Sequence, residues 1–274
     1  MIERFIHHLV CIKGYSNNTA RAYEEDLRAF ARYAKEIDAN MTWSKVTKGF
    51  IESYVYAMHD ADLENTTISR RISSLRTYYR WAISTGLTKK NPAQYISSPK
   101  KAKTLPHTID TQAIKDALYM SNANSETKAL IAIAYETGMR LQEMLDMNYK
   151  DIDMETRSIR VHGKGNKERI VYFGSASATL IEILHDKNGE KLFTCEQREA
   201  RATVYKALKP YTNAEQLSPH AIRHTYATEM LNNGASIKAV SQLLGHESVK
   251  TTEIYAQMAQ PTLFETYQQT APRA

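Results

Sequence analysis

One stretch of this chain suits neither a helix nor a strand, and it divides the rest. Residues 91–106 read NPAQYISSPKKAKTLP. Each of Pro92, Pro99 and Pro106 lacks an N–H and disfavours helix at the residue before it, and the lysines and serines between them carry no apolar period. Helical periodicity stands on both sides. The stretch therefore predicts a two-domain chain, with domains over 1–90 and 109–274 joined by a linker over 91–108. A chain of 274 residues is long enough for both to have cores.

Upstream, the apolar spacing predicts four helices. Ile2, Phe5, Ile6, Leu9 and Val10 form one stripe, ended by Gly14, and Ser16-Asn17-Asn18 offers a cap for a second helix that buries Tyr23, Leu27, Phe30 and Ala34. Phe50, Ile51, Tyr54, Val55 and Met58 form a third stripe. The fourth helix, over 66–85, places Ile68, Ile72, Leu75, Tyr79 and Ala82 on one side and Arg70, Ser73, Thr77 and Arg80 on the other. Guanidinium groups alternating with short hydroxyls suit phosphate oxygens and groove edges. An ordinary solvated face would more often carry Glu–Lys pairs, and no acidic residue lies between Glu64 and Asp110.

Charge agrees with that face. Residues 1–108 hold 17 Lys/Arg against 10 Asp/Glu, whereas residues 109–274 hold 19 against 20. A cationic first domain points to a polyanion such as nucleic acid, to which Lys100, Lys101 and Lys103 of the linker could add backbone contacts; a merely solvated surface is the other reading. There is no apolar run long enough to span a membrane and no signal-peptide pattern. Cys11 and Cys195 stand far apart without metal-knuckle or disulfide spacing, so a reducing cytoplasm is the expected compartment.

The second domain opens with Asp110 as a helix cap, followed by a buried-looking helix over 129–137 that stops at Gly138, just before Arg140. The period then changes. Ile152, Ile159, Val161, Ile170, Val171 and Phe173 flank the turn Gly163-Lys164-Gly165-Asn166 and predict a small three-stranded antiparallel sheet. Helical patterns resume over 178–184, 201–208 and 236–244, and a tail with Leu263, Phe264 and Tyr267 at helical spacing could dock on its own domain or on a neighbour. The fold class is thus mainly α, in two domains. No phosphate loop and no HExxH motif occurs. His220 and His224 stand at i, i+4, a metal-ligand spacing, but no third ligand accompanies them, and no cofactor is expected.

The chemistry concentrates in residues 218–255, which hold His220, Arg223, His246 and Tyr255. Phosphodiester transfer without a metal requires fixed cations for the non-bridging oxygens, a nucleophile, a base and an acid for the leaving oxygen. Arg140 and Arg223 supply forked cations, Lys164 at a glycine-flanked tip can donate a proton, and Tyr255 is a possible nucleophile. Each residue also has an ordinary reading. Arg140 could start a helix, Lys164 could be a turn lysine, His220 and Arg223 a surface pair, His246 a cap, and Tyr255 one structural tyrosine among 17.

Their order separates the readings. TGMRLQE, VHGKGNKERIVYFG, LSPHAIRHTYATEMLNNGASIKAVSQLLGH and TTEIY resemble in succession the signature boxes of the tyrosine recombinases (the phage integrase family), and most closely its Xer branch. FIHHLVCIKGYSNNTARAYEEDLRAF resembles the start of a Xer core-binding domain, and residues 91–106 resemble the Xer linker. The resemblance implies a SAM-like four-helix core-binding domain and a mostly helical catalytic domain ending in an exchange helix, closing as a C around duplex DNA. It implies that Arg140 and Arg223 clamp the scissile phosphate, that Lys164 protonates the leaving 5′-hydroxyl, and that His220 is acid/base toward the nucleophile. It further implies that His246 bonds a phosphate oxygen, that Glu143 supports the arrangement from behind, and that Tyr255 forms a 3′-phosphotyrosyl link needing no ATP or metal.

The partners so implied are duplex DNA with short paired half-sites, a homo- or hetero-tetramer on DNA, and, as in Xer systems, a second recombinase and a DNA translocase. The expected role is resolution of DNA dimers in chromosome segregation. A mobile-element or phage integrase on the same scaffold, or a DNA-binding regulator that does not cut, are the alternatives; a complete catalytic set argues against the last. Departures are Glu229 where many Xer chains have His, a short stretch between Phe173 and Leu217, and no arm-binding domain.

Overall fold

The computed structural model describes residues 1–99, 106–163, 167–246 and 252–256. Lys100, Lys101, Lys103, Lys164 and the tail residues Leu263, Phe264 and Tyr267 lie outside the described residues. The chain divides into two compact units, Met1–Lys103 and Thr104–Ala274, with the division inside the proline-rich stretch.

The first unit is four helices, α1 (Ile2–Cys11), α2 (Asn17–Ile37), α3 (Lys48–Asp60) and α4 (Asn65–Ser84). Ser16 starts α2 by accepting from the Thr19 amide, and Thr47 starts α3 by accepting from that of Phe50. Side-chain oxygens thus satisfy donors that the first turn leaves free. The core is rich in aromatics, with Phe5 edge-on to Tyr78 at 5.4 Å and Phe30 edge-on to Tyr54 at 5.1 Å. Such pairs add about 0.5–1.5 kcal/mol beyond their area burial.

All five apolar residues expected to face inward on α4 are buried: Ile68, Ile72, Leu75, Tyr79 and Ala82. On the other side Arg70, Ser73 and Arg80 are exposed and Thr77 is half-buried. Arg70 is not an unpaired arginine, however. Its guanidinium lies 2.5 Å from Asp26, a carboxylate of α2 that is 3% exposed and also accepts from the Ser74 hydroxyl. The acid was invisible in the sequence of α4 because it arrives from 44 residues upstream.

The beginning of the proline-rich stretch packs on this unit. Ala93 and Ile96 are buried in its core, and their carbonyls accept from the Arg76 guanidinium. Turn residues here supply hydrophobic cover as well as a connection.

The second unit holds α5 (Thr111–Met120), α6 (Ser125–Thr137), α7 (Leu141–Leu145), β1 (Ile152–Asp153), β2 (Ser158–His162) and β3 (Glu168–Tyr172). These are followed by α8 (Ser175–Asn188), α9 (Gln197–Leu208), α10 (Pro219–Asn232), α11 (Ile237–Leu244) and the single turn α12 (Glu253–Ala256). Helix α6 is the axis of this unit, packed against α5, α8, α9 and α10. Residues 129–134 are all buried, so the helix is apolar all round rather than striped. The three strands pair antiparallel in chain order, with Ile159 opposite Val171 and Val161 opposite Arg169. The architecture is the expected mainly α fold with a small three-stranded sheet.

A smaller apolar cluster joins α10, α11 and α12 through Tyr226, Ala227, Leu231, Val240, Leu244 and Tyr255. Tyr255 is 2% exposed, its ring held as a core residue is held.

Candidate active site

The site is assembled around the C-terminal end of α11. Its last turn leaves carbonyls without intrahelical partners at the negative end of the helix dipole. Three of them in succession each accept from a different arginine. Leu243 accepts from Arg169 Nε at 2.8 Å, Leu244 from Arg223 Nη2 at 2.7 Å, and Gly245 from Arg140 Nη2 at 3.2 Å. Gly245 ends the helix in the left-handed region at φ +63, and a Cβ there would lie 2.9 Å from the Arg169 guanidinium. Glycine is therefore required by the turn and by the cation beside it.

Arg140 comes from the turn Thr137-Gly138-Met139-Arg140 between α6 and α7. Gly138 takes φ +64, and a Cβ there would meet the Tyr226 ring at 2.4 Å. Its carbonyl is turned toward Arg223, whose Nη1 donates to it. Glu143 caps the start of α7 by accepting twice from Arg140: the Arg140 amide donates to Oε2 at 2.8 Å and its Nη1 to Oε1 at 2.9 Å. Arg169 completes the bracket on Glu143, at 2.7 and 3.0 Å. Burial alone would raise the Glu143 carboxyl, yet the bonds from Arg169 and Arg140 bring it below the ordinary range. Glu143 thus lies behind the arginines and is shared by two of them, Arg140 and Arg169.

Pro219 at the first position of α10 and Ser218 as its cap set the helix that carries His220, Arg223 and His224. Arg223 is 1% exposed, and burial together with Arg140 lowers its pKa to about 10, so it is charged at neutral pH. Two carbonyls and His246 Nε2, at 3.1 Å, take its protons. Since arginine can only donate, His246 Nε2 is an acceptor, and the imidazole proton sits on Nδ1 and donates to the buried Thr252 hydroxyl at 2.8 Å. Burial and the neighbouring arginines lower His246 to about 4. In this arrangement His246 steadies Arg223; bonding a phosphate oxygen through Nε2 would require it to turn or change tautomer.

His220 is exposed and lines two cavities. One, of about 450 Å³, is bordered by Arg140, Gln197, Arg201 and Arg223; the other, of about 300 Å³, by His107, Gln216, His224 and Ile254. Although one side of the ring is open, the protein enclosing the rest of it and the charges of Arg223, Arg140 and Arg201 hold the His220 pKa below its ordinary value. The first cavity is lined by three arginines and, among the described residues, by no carboxylate, with Glu143 already bonded behind it, and so is suited to a phosphate.

Tyr255 meets the other histidine. Its hydroxyl is hydrogen-bonded to His224 Nδ1 at 2.7 Å, and the His224 ring lies edge-on to that of His220 at 4.3 Å. Burial raises the phenol pKa against the opposing effect of Arg223 and Arg140. Among the described residues no group of three or more His, Cys, Asp or Glu could hold a metal ion.

The described residues therefore bring together Arg140, Glu143, His220, Arg223, His246 and Tyr255, from four separate segments. Lys164 belongs to the turn between β2 and β3, outside the described residues. Arg169, His224, Thr252 and Arg201 were not singled out for this site by the sequence. Arg169 had a legible signal: it shares the inward side of β3 with Val171 while Ile170 is 54% exposed, and a cation at an inward position needs a partner. His224 had one too, as the second member of the i, i+4 pair. The candidate polyanion face of α4 is in the first unit, which also has a cavity of about 700 Å³ rimmed by Lys45, Lys48, Lys89 and Lys90 beside Trp43 and Tyr95.

Comparison with known proteins gives a consistent result. Residues 101–261 match the Phage integrase family, and residues 2–86 match the phage integrase N-terminal SAM-like domain. The chain is 31% identical over 293 residues to the tyrosine recombinase XerD of Oceanobacillus iheyensis, covering 100% of this chain and 98% of that protein. It is 32% identical over 291 residues to the tyrosine recombinase XerC of Lactobacillus delbrueckii subsp. bulgaricus, covering 99% and 98%. Its fold is similar to that of the XerH site-specific recombinase bound to a palindromic difH substrate in a post-cleavage complex, with TM-score 0.78 and 17% identity over 97% of this chain and 83% of that one. A lambda integrase fragment in a dimer bound to a COC′ core site gives TM-score 0.74 at 16% identity, covering 93% of each chain.

Proposed function

The chain belongs to the phage integrase family of tyrosine recombinases and is a site-specific DNA recombinase, and from that premise we propose that Tyr255 is the nucleophile that cuts and rejoins duplex DNA. The observation that carries this reading is the convergence of Arg140, Arg223 and His220 on one cavity, with the Tyr255 phenol beside the histidine pair. The scissile phosphate enters that cavity. Arg140 and Arg223 take its non-bridging oxygens, and the carbonyls of α11 and Glu143 hold both guanidinium groups before DNA arrives. Electrostatic stabilisation is strongest when donors need not reorganise as charge develops.

Attack by the phenol oxygen gives a 3′-phosphotyrosyl link and expels a 5′-hydroxyl, which Lys164 protonates. The link conserves the energy of the broken bond, so that a second 5′-hydroxyl can reverse the step on another strand without ATP. Arg70, Ser73, Thr77 and Arg80 of α4, with Lys100, Lys101 and Lys103, contact DNA backbone and groove. Four protomers act on two sites made of short paired half-sites, the segment with Leu263, Phe264 and Tyr267 docking on the next protomer. The chain acts in the cytoplasm in a Xer-type role, resolving DNA dimers, a reading supported by relatives named XerD and XerC at about a third identity over the full chain.

The test uses a nicked duplex, selected from a randomised pool for binding to this protein, from which the fragment beyond the cut diffuses away. The wild-type chain should become covalently attached to DNA. Tyr255→Phe should bind the same duplex and form no adduct; an adduct with this variant would exclude Tyr255.

A further inference from the structure

His220 and His224 stand one turn apart on α10, and the geometry treats them differently. Resting on the reading of Tyr255 as nucleophile, we infer that His224, rather than His220, receives the phenol proton as Tyr255 attacks. His224 Nδ1 lies 2.7 Å from the Tyr255 oxygen, within the distance of a direct transfer. His220 makes no hydrogen bond to Tyr255 among the described residues; it is exposed, and it faces the arginine-walled cavity.

The tautomer follows from hydrogen-bond accounting. A buried phenol must place its proton on an acceptor, and His224 Nδ1 is the acceptor Tyr255 has among the described residues. Nδ1 is then unprotonated and the ring proton sits on Nε2. Burial first, then His220, Arg223, His107 and His246, lower the His224 pKa to about 4, so the imidazole is neutral and able to accept at physiological pH. These groups face it from α10 itself, from the segment before α5 and from the segment after α11.

The step balances as follows. A lone pair on the Tyr255 oxygen forms the bond to phosphorus while the bond from phosphorus to the 5′-oxygen breaks. The phenol proton passes to His224 Nδ1, giving an imidazolium, and the 5′-oxygen takes a proton from Lys164. In rejoining, the imidazolium returns its proton to the tyrosine oxygen. Full proton transfer before attack is unfavourable, because the phenol pKa is raised and that of the imidazole is lowered. Transfer therefore accompanies bond formation, which makes the phenol acidic. The incoming phosphodiester carries a negative charge into the arginine-walled cavity, and that charge raises the imidazole pKa at the moment its basicity is needed.

The experiment measures single-turnover adduct formation on the nicked duplex as a function of pH. Asparagine at position 224 retains an acceptor oxygen near Nδ1 but cannot take the proton. His224→Asn should lose roughly a hundred- to ten-thousandfold in rate with DNA affinity unchanged. Its rate should climb with pH as hydroxide takes over proton removal, where the wild type is flat across neutral pH. A duplex with a sulfur leaving group, which needs no proton, should not restore it. If His224→Asn fails to melt cooperatively, His224→Ala with added imidazole replaces it, and recovery of rate with imidazole is the expected result. A His224→Asn rate within threefold of wild type with the same pH profile overturns the inference. So does the pH-dependent loss appearing in His220→Asn alone. An adduct formed by Tyr255→Phe would instead overturn the nucleophile itself.

Discussion

Arg169→Met removes an arginine of the site that the sequence did not suggest. Only 12% of the Arg169 side chain is exposed, and its guanidinium donates twice to Glu143 and once to the Leu243 carbonyl. Methionine keeps most of the stem volume, so the change is chiefly electrostatic. Breaking one partner out of a buried ion pair costs about 3–5 kcal/mol. Here Glu143 retains the Arg140 guanidinium and amide, which puts the expected loss at the low end, about 3 kcal/mol. The two tryptophans, Trp43 and Trp81, both lie in the first unit, so their fluorescence reports that unit alone. Urea unfolding followed by circular dichroism should show a destabilised second unit, while the tryptophan transition stays in place. A double-mutant cycle with Glu143→Gln should give a coupling of about 1–3 kcal/mol. Adduct formation should also slow, because Glu143, with one partner gone, draws Arg140 away from the phosphate cavity. A loss under about 0.5 kcal/mol with no coupling would refute the idea that Arg169 and Arg140 share Glu143 as one unit.

Three further outcomes are expected. Gly138→Ala should destabilise the second unit by about 2–4 kcal/mol, since φ is +64 and the new methyl would overlap the Tyr226 ring, and should slow adduct formation by moving the Arg223 anchor; a melting temperature equal to wild type would contradict this. The second unit should lose stability as pH falls from about 6.5 toward 4: His224 and His246 have pKa values of about 4 when folded, whereas unfolded imidazoles titrate near 6.5, so the unfolded chain binds more protons in that window. His246→Gln should flatten that dependence, measured as melting temperature against pH. Arg80→Ala should weaken DNA binding uniformly across sequences and reduce the slope of log affinity against log salt by about 1, measured by titration at several salt concentrations; unchanged affinity and slope would remove α4 from the DNA interface.

The fold was legible where local periodicity and punctuation decide it. The four stripes of the first unit, the glycine stop after α6 and the change to period 2 at the sheet all follow from residues close in sequence. What was not legible comes from distance. Asp26 neutralises Arg70 across 44 residues, and Ala93 and Ile96 in the proline-rich stretch become core because α4 has an uncovered side. The site divides in the same way. Arg140, Arg223 and Tyr255 are carried by compact motifs, but the use of three consecutive carbonyls at the end of α11 to hold three arginines is a tertiary arrangement with no local pattern. The choice between His220 and His224 as partner of Tyr255 is likewise set by how α12 packs on α10, which helical spacing alone leaves open.

Identifying the residue joined to DNA tests the role of Tyr255 without relying on a variant. The adduct from the nicked duplex is digested with protease and nuclease, and the nucleotide-bearing peptide is sequenced by mass spectrometry. The expected product is a peptide containing Tyr255, joined through its phenol oxygen to a 3′-phosphate, with a free 5′-hydroxyl on the departing strand. A nucleotide on any other residue, or a 5′-phosphate linkage at Tyr255, would contradict it.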